Sequence, residues 1–457
     1  MKRFTQHIIR CALALMVFHA APALAQEAPM TTPAQDAFRI PFETFTLDNG
    51  LKVFLLRDNT LPIVAINLWF DVGSKDEPVG RTGFAHLFEH LMFMGTEKVP
   101  DIDILLETGG GSNNASTRED VTNYFAVAPE NMLETLIFIE ADRLANLADS
   151  MTQEKLDKQR DVVLNERKQA IENQPYGQMW IDIPTVMYPE GHPYAHSVIG
   201  SAEDIRSATL SDVIDFFHTY YVPANATLVL AGDFQSDHAR ALVEKYFGAI
   251  SAQPRQASLR IPQMTHPVIR RHVIEDEVQI PRLRLMWHSP AFMAEGDAEL
   301  DILASILCKG KNSRLTNALV YEQQIASGVS CAQASAMAST FVIEAMPLPG
   351  TSVEQLEEAI LLELKNLIEG GVTQAEFDRT KNSIEMSFVK QLQSVLSRAD
   401  DFNSFYFYAS STDFPAADWA RYQQATPETL MQIATTLFSD DTRRATIVVM
   451  PKSQGEL

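Results

Sequence analysis

His86-Leu87-Phe88-Glu89-His90 places two imidazoles and a carboxylate within one short stretch of the chain. Residues three and four positions apart share one face of an α-helix, so a helix here presents His86, Glu89 and His90 together. The apolar residues in and around this stretch are Phe84, Leu87, Phe88, Leu91 and Phe93. Their number predicts that the helix is largely buried. A buried group of two imidazoles and a carboxylate needs a partner, and a divalent cation suits it.

The order of these residues indicates which kind of metal site they would form. His-x-x-Glu-His is the inverse of His-Glu-x-x-His, and both orders are typical of zinc peptidases. Two His four positions apart can ligate one ion, and a Glu on the same face can hold the water that the ion polarises. The plainer alternative is a helix that carries two surface His, and the five residues alone leave that alternative open.

A third ligand has to come from elsewhere in the chain, because a catalytic zinc commonly takes three protein ligands. Residues 153–168 predict a long helix. Leu156, Val163 and, just past this range, Ala170 follow one another at intervals of two turns. Glu166 lies close to this apolar stripe and is the candidate ligand. Taken alone, Glu166 is more simply interpreted as a solvated helix carboxylate.

Four stretches of the chain resemble the M16, or pitrilysin-like, metallopeptidases, which include the mitochondrial processing peptidase and insulin-degrading enzymes. GFAHLFEHLMFMGT at 83–96 is similar to the active-site helix of that family. NAST at 114–117 and TNY at 122–124 resemble its substrate strand, and DVVLNER at 161–167 resembles its third-ligand helix. The stretches follow the family's order and separations, and the resemblance extends over nearly the whole chain after the leader.

The resemblance implies a site and a fold. His86, His90 and Glu166 would bind one Zn²⁺ per chain, and Glu89 would act as general base on a zinc-activated water. Asn114 and Ala115 would bind the substrate peptide, which joins their strand as an added strand. The implied fold is α+β, with two homologous domains that are each a mostly antiparallel sheet backed by helices.

Two features depart from the family's pattern. Gln159 stands two helical turns before Glu166, where the family often has a carboxylate that supports the ligands. After SRL at 313–315, Val320 and Ser327 occupy the positions at which many members have an Arg and a Tyr that steady the substrate or the oxyanion. Either a partner chain supplies these residues or transition-state support is weaker in this chain.

The start of the chain predicts a cleavable signal peptide at residues 1–25. It has a basic beginning, a short apolar core at 11–18 and an Ala-Leu-Ala site that is cut near Ala25-Gln26. The alternative is an N-terminal anchor helix, although the apolar run is too short to span a membrane, and no later stretch is long enough either. We therefore expect a periplasmic or secreted protein without a membrane span.

Charge and cysteine content limit the possible partners and compartment. The net charge is −22, and the charged residues of the leader are all basic, so the mature chain is still more acidic. Such a chain repels nucleic acid and anionic membrane surfaces. The acidity either draws cationic peptides or only gives solubility. Cys308 and Cys331 remain after processing, and they either form a disulfide or stay as buried thiols.

The length of the chain suits two domains. The Pro-containing segment 251–267 is the predicted linker between a catalytic domain at 38–250 and a C-terminal domain at 268–457. TQEKLDK at 152–158 resembles TQAEFDR at 373–379, which indicates an internal repeat. The second copy has no His pair in the place of the metal helix, so we expect it to be inactive.

These observations favour an exported zinc endopeptidase that hydrolyses peptides or unfolded segments. The competing hypothesis is a subunit of a two-chain peptidase that is inactive or mainly structural without its partner. The family's short subunits pair as homodimers or as heterodimers with a related subunit, so either pairing is expected here. A metal-dependent hydrolase of non-peptide substrates is a third class, which no motif specifically supports.

Overall fold

The computed structural model describes residues 38–452, and the predicted signal peptide at 1–25 lies outside this range. Six strands form the first sheet: β1 (Glu43–Thr46), β2 (Lys52–Arg57), β3 (Ile63–Phe70), β4 (Ser112–Thr117), β5 (Thr122–Pro129) and β6 (Ala226–Gly232). Their order across the sheet is β1-β2-β6-β3-β5-β4, so β4 lies at one edge. All neighbours are antiparallel except β2 and β6.

The second sheet repeats this arrangement without a counterpart of β1. Its strands are β7 (Arg271–Asp276), β8 (Arg282–His288), β9 (Ala326–Ala334), β10 (Thr340–Pro347) and β11 (Arg444–Pro451). The order is β7-β11-β8-β10-β9, and only β7 and β11 run parallel. The predicted α+β fold of two mostly antiparallel, helix-backed sheets is confirmed, with one parallel pair in each sheet.

Eight helices belong to the first half of the chain: α1 (Phe84–Leu91), α2 (Ile102–Thr108), α3 (Leu133–Ser150), α4 (Gln153–Arg167), α5 (Gly177–Met187), α6 (Ala202–Ser207), α7 (Leu210–Tyr220) and α8 (Ser236–Phe247). Helices α1, α3, α4, α7 and α8 share one buried core with the first sheet. The central strand β3 is buried along nearly its whole length because helices cover both faces of the sheet. Apart from Asn67, its sequence is therefore apolar throughout rather than alternating.

Six helices belong to the second half: α9 (Asp297–Cys308), α10 (Val353–Gly370), α11 (Gln374–Gln391), α12 (Val395–Ala409), α13 (Ala416–Gln424) and α14 (Pro427–Phe438). Helices α9, α10, α11 and α14 contribute to a core with the second sheet. Helix α9 follows β8 as α1 follows β3, and it contains no His. None of the described helices is long and apolar enough to cross a membrane.

Each half contributes one helix that packs on the sheet of the other half. On the outer face of the first sheet lies α12 of the second half, whose Phe402 ring is 4.9 Å from the Phe54 ring between centroids. In return, α5 of the first half packs on the second sheet, where Met179 joins a cluster with Ile447. The division into 38–250, 251–267 and 268–457 remains a proposal. It follows the order of the chain, whereas α5 and α12 each pack on the sheet of the other half.

The predicted linker is held against the first sheet. Residues 251–264 contain no helix or strand. Within them, Arg255 and Ser258 both hydrogen-bond the carboxylate of Asp71, which follows β3. These contacts tie the connection between the halves to the sheet that carries the candidate site.

Of the two alternatives for the cysteines, the structure has the disulfide. Cys308 ends α9 and Cys331 lies in β9, with Cα atoms 5.5 Å apart. The bond links the helix that corresponds to α1 with the strand that corresponds to β4. A covalent link in the second half thus occupies the region that holds the His-x-x-Glu-His helix in the first.

Candidate metal centre and active site

The His-x-x-Glu-His residues lie on α1. The buried side of this helix consists of Phe84, Ala85, Leu87, Phe88 and Leu91. Burial of these residues turns His86 and His90 towards α4, where their side chains remain 13% and 24% exposed. A short amphipathic helix thus places both imidazoles at the rim of the core, where a ligand can reach them.

The amino-terminal end of α1 is capped by a side chain from the segment that precedes the helix. The helix begins after Gly83, which has a φ of 88° and offers no side chain for capping. The N–H groups of Gly83 and Ala85 donate instead to Glu77, at 2.9 and 2.7 Å. The Glu77 side chain is fully buried, and burial raises the pKa of its carboxyl. This contact anchors the helix one residue before His86.

Helix α4 brings Glu166 to α1. The Thr152 side chain caps the helix by accepting from the Lys155 N–H at 3.3 Å. Leu156 and Val163 are fully buried, as the predicted apolar stripe requires, whereas Ala170, the third member of that stripe, is exposed and lies beyond the end of α4. Glu166 lies in the last turn, close to that stripe, and its side chain is 40% exposed.

Three potential ligand atoms converge between these two helices. The Nε2 atoms of His86 and His90 are 3.3 Å apart. The Glu166 carboxylate lies 3.8 Å from His86 Nε2 and 3.1 Å from His90 Nε2. All three residues have a ligand atom within 4.8 Å of the others, and they are the one such group of His, Cys, Asp or Glu in residues 38–452.

The protonation of this group fits a metal ion. Burial, and next the nearby His90, lower the pKa of His86 to about 4. The hydrogen bond with His90 lowers the pKa of the Glu166 carboxyl. At neutral pH His86 is therefore neutral and Glu166 ionised, which are the forms that ligate metals. Two imidazole nitrogens and one carboxylate oxygen are a common ligand set for catalytic zinc.

Glu89 lies on the same face of α1, between the two His. Its Oε2 accepts a hydrogen bond from the Thr117 hydroxyl at 2.6 Å. Burial raises the pKa of the Glu89 carboxyl, while the Thr117 hydrogen bond acts in the opposite direction. A carboxylate with a raised pKa beside a metal site is suited to accept and return a proton near neutral pH.

A cavity of about 340 Å³ opens beside this group. It is lined by Glu89, His90, Phe93, Asp103, Asn113, Asn114 and Gln159. The buried Gln159 points its Nε2 at the Met94 sulfur, 2.6 Å away, and reaches the cavity beside His90. The structure thus brings Gln159 to the wall of the site, as neighbour of a ligand rather than as a ligand.

Asn114 and Ala115 lie on β4, the edge strand of the first sheet. Asn114 pairs with Phe125 and Ala115 with Tyr124 of β5, so only one side of β4 is paired. The Ala115 N–H donates to the Asn114 side chain at 2.9 Å. An edge strand with a main-chain donor satisfied only by its own neighbour can accept an added peptide strand.

Val320, Ser327 and the nearby Arg314 are all engaged within the second half. Val320 lies partly buried against the second core, and the exposed Ser327 donates to the Met346 carbonyl at 3.2 Å. Arg314, which precedes them, is held by both oxygens of Glu376 at 2.8 Å. The Arg314 guanidinium therefore forms an ion pair within the second half.

Sequence reasoning missed two contributors to the site. Glu77 gives only a weak local signal, because it caps α1 from outside the motif. Thr117 lies inside the NAST stretch, yet its contact with Glu89 depends on how β4 packs on α1. A carboxylate shortly before a helix that starts at Gly is a weak sign of such capping, and it could have directed attention to Glu77.

Comparison with known proteins identifies relatives of both halves of the chain. The model "Insulinase (Peptidase family M16)" matches residues 52–181, and "Peptidase M16 inactive domain" matches residues 207–384. The zinc protease PqqE of Helicobacter pylori is 29% identical over 419 residues, which cover 90% of this chain and 93% of that protein. A probable mitochondrial-processing peptidase subunit beta of Schizosaccharomyces pombe is 28% identical over 227 residues, or 49% of each chain.

Solved structures show the same fold. A protease from Helicobacter pylori superposes with a TM-score of 0.83 at 28% identity, over 90% of this chain and 99% of that one. The periplasmic protease PqqL from Escherichia coli superposes with a TM-score of 0.75 at 18% identity. That comparison covers 90% of this chain but only 48% of the PqqL chain, so the fold described above corresponds to about half of PqqL.

Proposed function

Because this chain belongs to the M16 family of metallopeptidases, we propose that it is an exported zinc-dependent endopeptidase that hydrolyses peptides or unfolded segments. One observation carries the proposal: His86, His90 and Glu166 converge within 4.8 Å beside Glu89. The "inactive domain" match at 207–384 agrees with a second half that carries no His pair on α9.

In this proposal each residue has a defined role. His86, His90 and Glu166 hold the zinc ion, which when bound supplies Lewis acidity towards water and the scissile carbonyl. Glu89 accepts a proton from the water that attacks the carbonyl and returns a proton to the leaving amine. Gln159 lines the same cavity as His90, and in this proposal it supports the ligands from the wall of the site.

The edge of β4 is the proposed seat of the substrate. A peptide that adds to this edge would accept from the Ala115 N–H, which now donates to Asn114. The Asn114 amide would then be free to bond the peptide itself. Main-chain hydrogen bonds demand little of the substrate's sequence, which suits a peptidase acting on unfolded segments.

Export is part of the proposal. It rests on the leader at 1–25, with cleavage near Ala25-Gln26, and places the mature chain in the periplasm or outside the cell. The Cys308–Cys331 disulfide supports an oxidising compartment. The similar PqqL of Escherichia coli is described as a periplasmic protease.

We expect the purified protein to contain about one zinc per chain. Replacing His90 by Ala should reduce bound zinc to a minor fraction and abolish cleavage of a quenched peptide library, because one of three ligands is lost. Elemental analysis and the fluorescence of the library measure the two effects. The exposed His218 on α7 is the control, since His218→Ala should change neither. Full zinc content in His90→Ala would contradict the ligand assignment.

A second candidate is a subunit whose activity depends on a partner, either a second copy or a related chain. Val320 and Ser327 favour it, because they leave the second half without the family's Arg and Tyr. The coverage of only 48% of the PqqL chain also suits a protein that pairs with another such unit.

The two candidates differ in what the isolated protein does. If it depends on a partner, zinc binds normally but cleavage by the isolated monomer is weak, and activity rises when the partner is added. Light scattering during gel filtration, combined with the cleavage assay on each fraction, separates the cases. A monomeric fraction with full activity would rule out the partner-dependent form.

A further inference from the structure

A segment outside the ligand motifs touches both helices that carry them. This bridging segment, residues 197–204, begins in a turn closed by the Gly200 N–H and the Ser197 carbonyl at 2.9 Å. It ends in the first turn of α6. On one side it contacts the start of α1, and on the other it contacts the end of α4.

The contact with α1 is a close approach of two backbones. Gly200 and Gly83 both have positive φ, of 69° and 88°. A Cβ on Gly200 would collide with the backbone of Thr82 and Gly83, and one on Gly83 would collide with the Ile199 carbonyl. Only glycine at these two positions lets the segment lie directly against the start of α1.

Hydrogen bonds hold the bridging segment against the start of α1. The Thr82 N–H donates to the Asp204 carboxylate at 2.9 Å, and the Thr82 hydroxyl donates to the same carboxylate. The Ser201 N–H donates to the Thr82 hydroxyl oxygen, also at 2.9 Å. Together with Glu77, which binds the Gly83 and Ala85 N–H groups, these bonds leave the start of α1 little freedom to shift.

The contact with α4 comes from the residue that follows the third ligand. The Arg167 guanidinium donates to the Gly200 carbonyl and, through Nε, to Glu172 at 2.9 Å. Gly200 therefore meets α1 through its backbone and α4 through its carbonyl oxygen. Gly200 thus links the start of α1 to the end of α4, in addition to the direct packing of the two helices on each other.

We propose that Gly200 and Arg167 are positioning residues that hold Glu166 at ligating distance from His86 and His90. The inference rests on the proposed zinc site and adds to it the contacts that set its dimensions. Metal affinity is sensitive to such support, because ligands held at the wrong separation must be drawn together when the ion binds.

Arg167→Gln tests the α4 side of the contact. The shorter amide loses the bond to Gly200, and we expect the dissociation constant for zinc to rise roughly 10- to 100-fold. Arg160→Gln is the matched control: Arg160 lies two turns earlier on α4 and bonds the carbonyls of Arg206 and Ala208, at 3.0 and 3.1 Å. It should leave zinc affinity unchanged, and Arg167→Lys, which keeps a donor, should recover part of the loss.

Gly200→Ala tests the α1 side, with Gly191→Ala as control. Gly191 has a φ of 83° and open space where a Cβ would lie, so alanine there adds backbone strain without a collision. We expect zinc affinity to fall in Gly200→Ala and to stay at the parental value in Gly191→Ala. Competition with a fluorescent chelator measures affinity, and the visible absorption of the cobalt(II)-substituted proteins reports ligand geometry independently of activity.

The outcomes separate this inference from the function it rests on. Weaker zinc binding and an altered cobalt spectrum in Arg167→Gln, with a metal-free melting temperature equal to that of Arg160→Gln, support the inference. Parental zinc affinity in Arg167→Gln, or an equal loss in Arg160→Gln, overturns it and leaves the proposed zinc site intact. A parent protein that binds no zinc overturns both.

Discussion

Glu89→Gln is expected to slow peptide cleavage by about 100-fold or more while zinc remains bound. The amide keeps the size of the side chain and its contact with the Thr117 hydroxyl, but it cannot accept a proton from water. The three proposed ligands do not include Glu89, so we expect the metal site to persist. Elemental analysis and initial cleavage rates on the same preparation measure the two quantities together.

The control for this variant is Glu107→Gln on the exposed side of α2, which removes a carboxylate near β4 without contact to the ligands. Its cleavage rate should match that of the parent. If Glu89→Gln cleaved as fast as Glu107→Gln, another group would have to be the base. A loss of zinc in Glu89→Gln would instead mean that the carboxylate maintains the site and is not only a proton acceptor.

Asp400→Ala is expected to lower the free energy of unfolding by about 3 kcal/mol, because buried donors lose their acceptor. Asp400 lies on α12, and its Oδ1 accepts from Asn67 at 2.9 Å, Trp69 at 3.1 Å and Asn123 at 2.9 Å. These three residues lie on β3 and β5 of the other half. The change should appear as a lower midpoint of urea unfolding, followed through tryptophan fluorescence, to which Trp69 contributes directly.

Asp413→Ala provides the comparison, since this exposed aspartate follows α12 outside its contact with the sheet. We expect its unfolding midpoint to match the parent. Equal midpoints for Asp400→Ala and Asp413→Ala would show that apolar packing, such as that of Phe402 on Phe54, holds α12 without help from Asp400. An intermediate during the unfolding of Asp400→Ala would show that the halves separate before they unfold.

The candidate site divides into a local part and a distant part. His86, Glu89 and His90 lie within one short helix, so the helical period alone brings them to one face. Glu166 has no such local relation to them, and only the resemblance to a family connected it with α1. The structure brings all four together.

The sequence by itself determined the features that depend on neighbours along the chain: the motif helix, the apolar stripe of α4, the α+β class and, through its motifs, the family. Tertiary structure alone decided which helix covers which sheet, since α5 and α12 each pack on the sheet of the other half. It also decided that Asp400 serves three donors, that Gly200 lies between α1 and α4, and that Cys308 pairs with Cys331. The physical reason is the range of the interactions. The periodicity of a segment indicates which of its faces is buried and which is exposed to water. A contact between distant segments depends on the packing of the whole chain, so the sequence of neither segment predicts it.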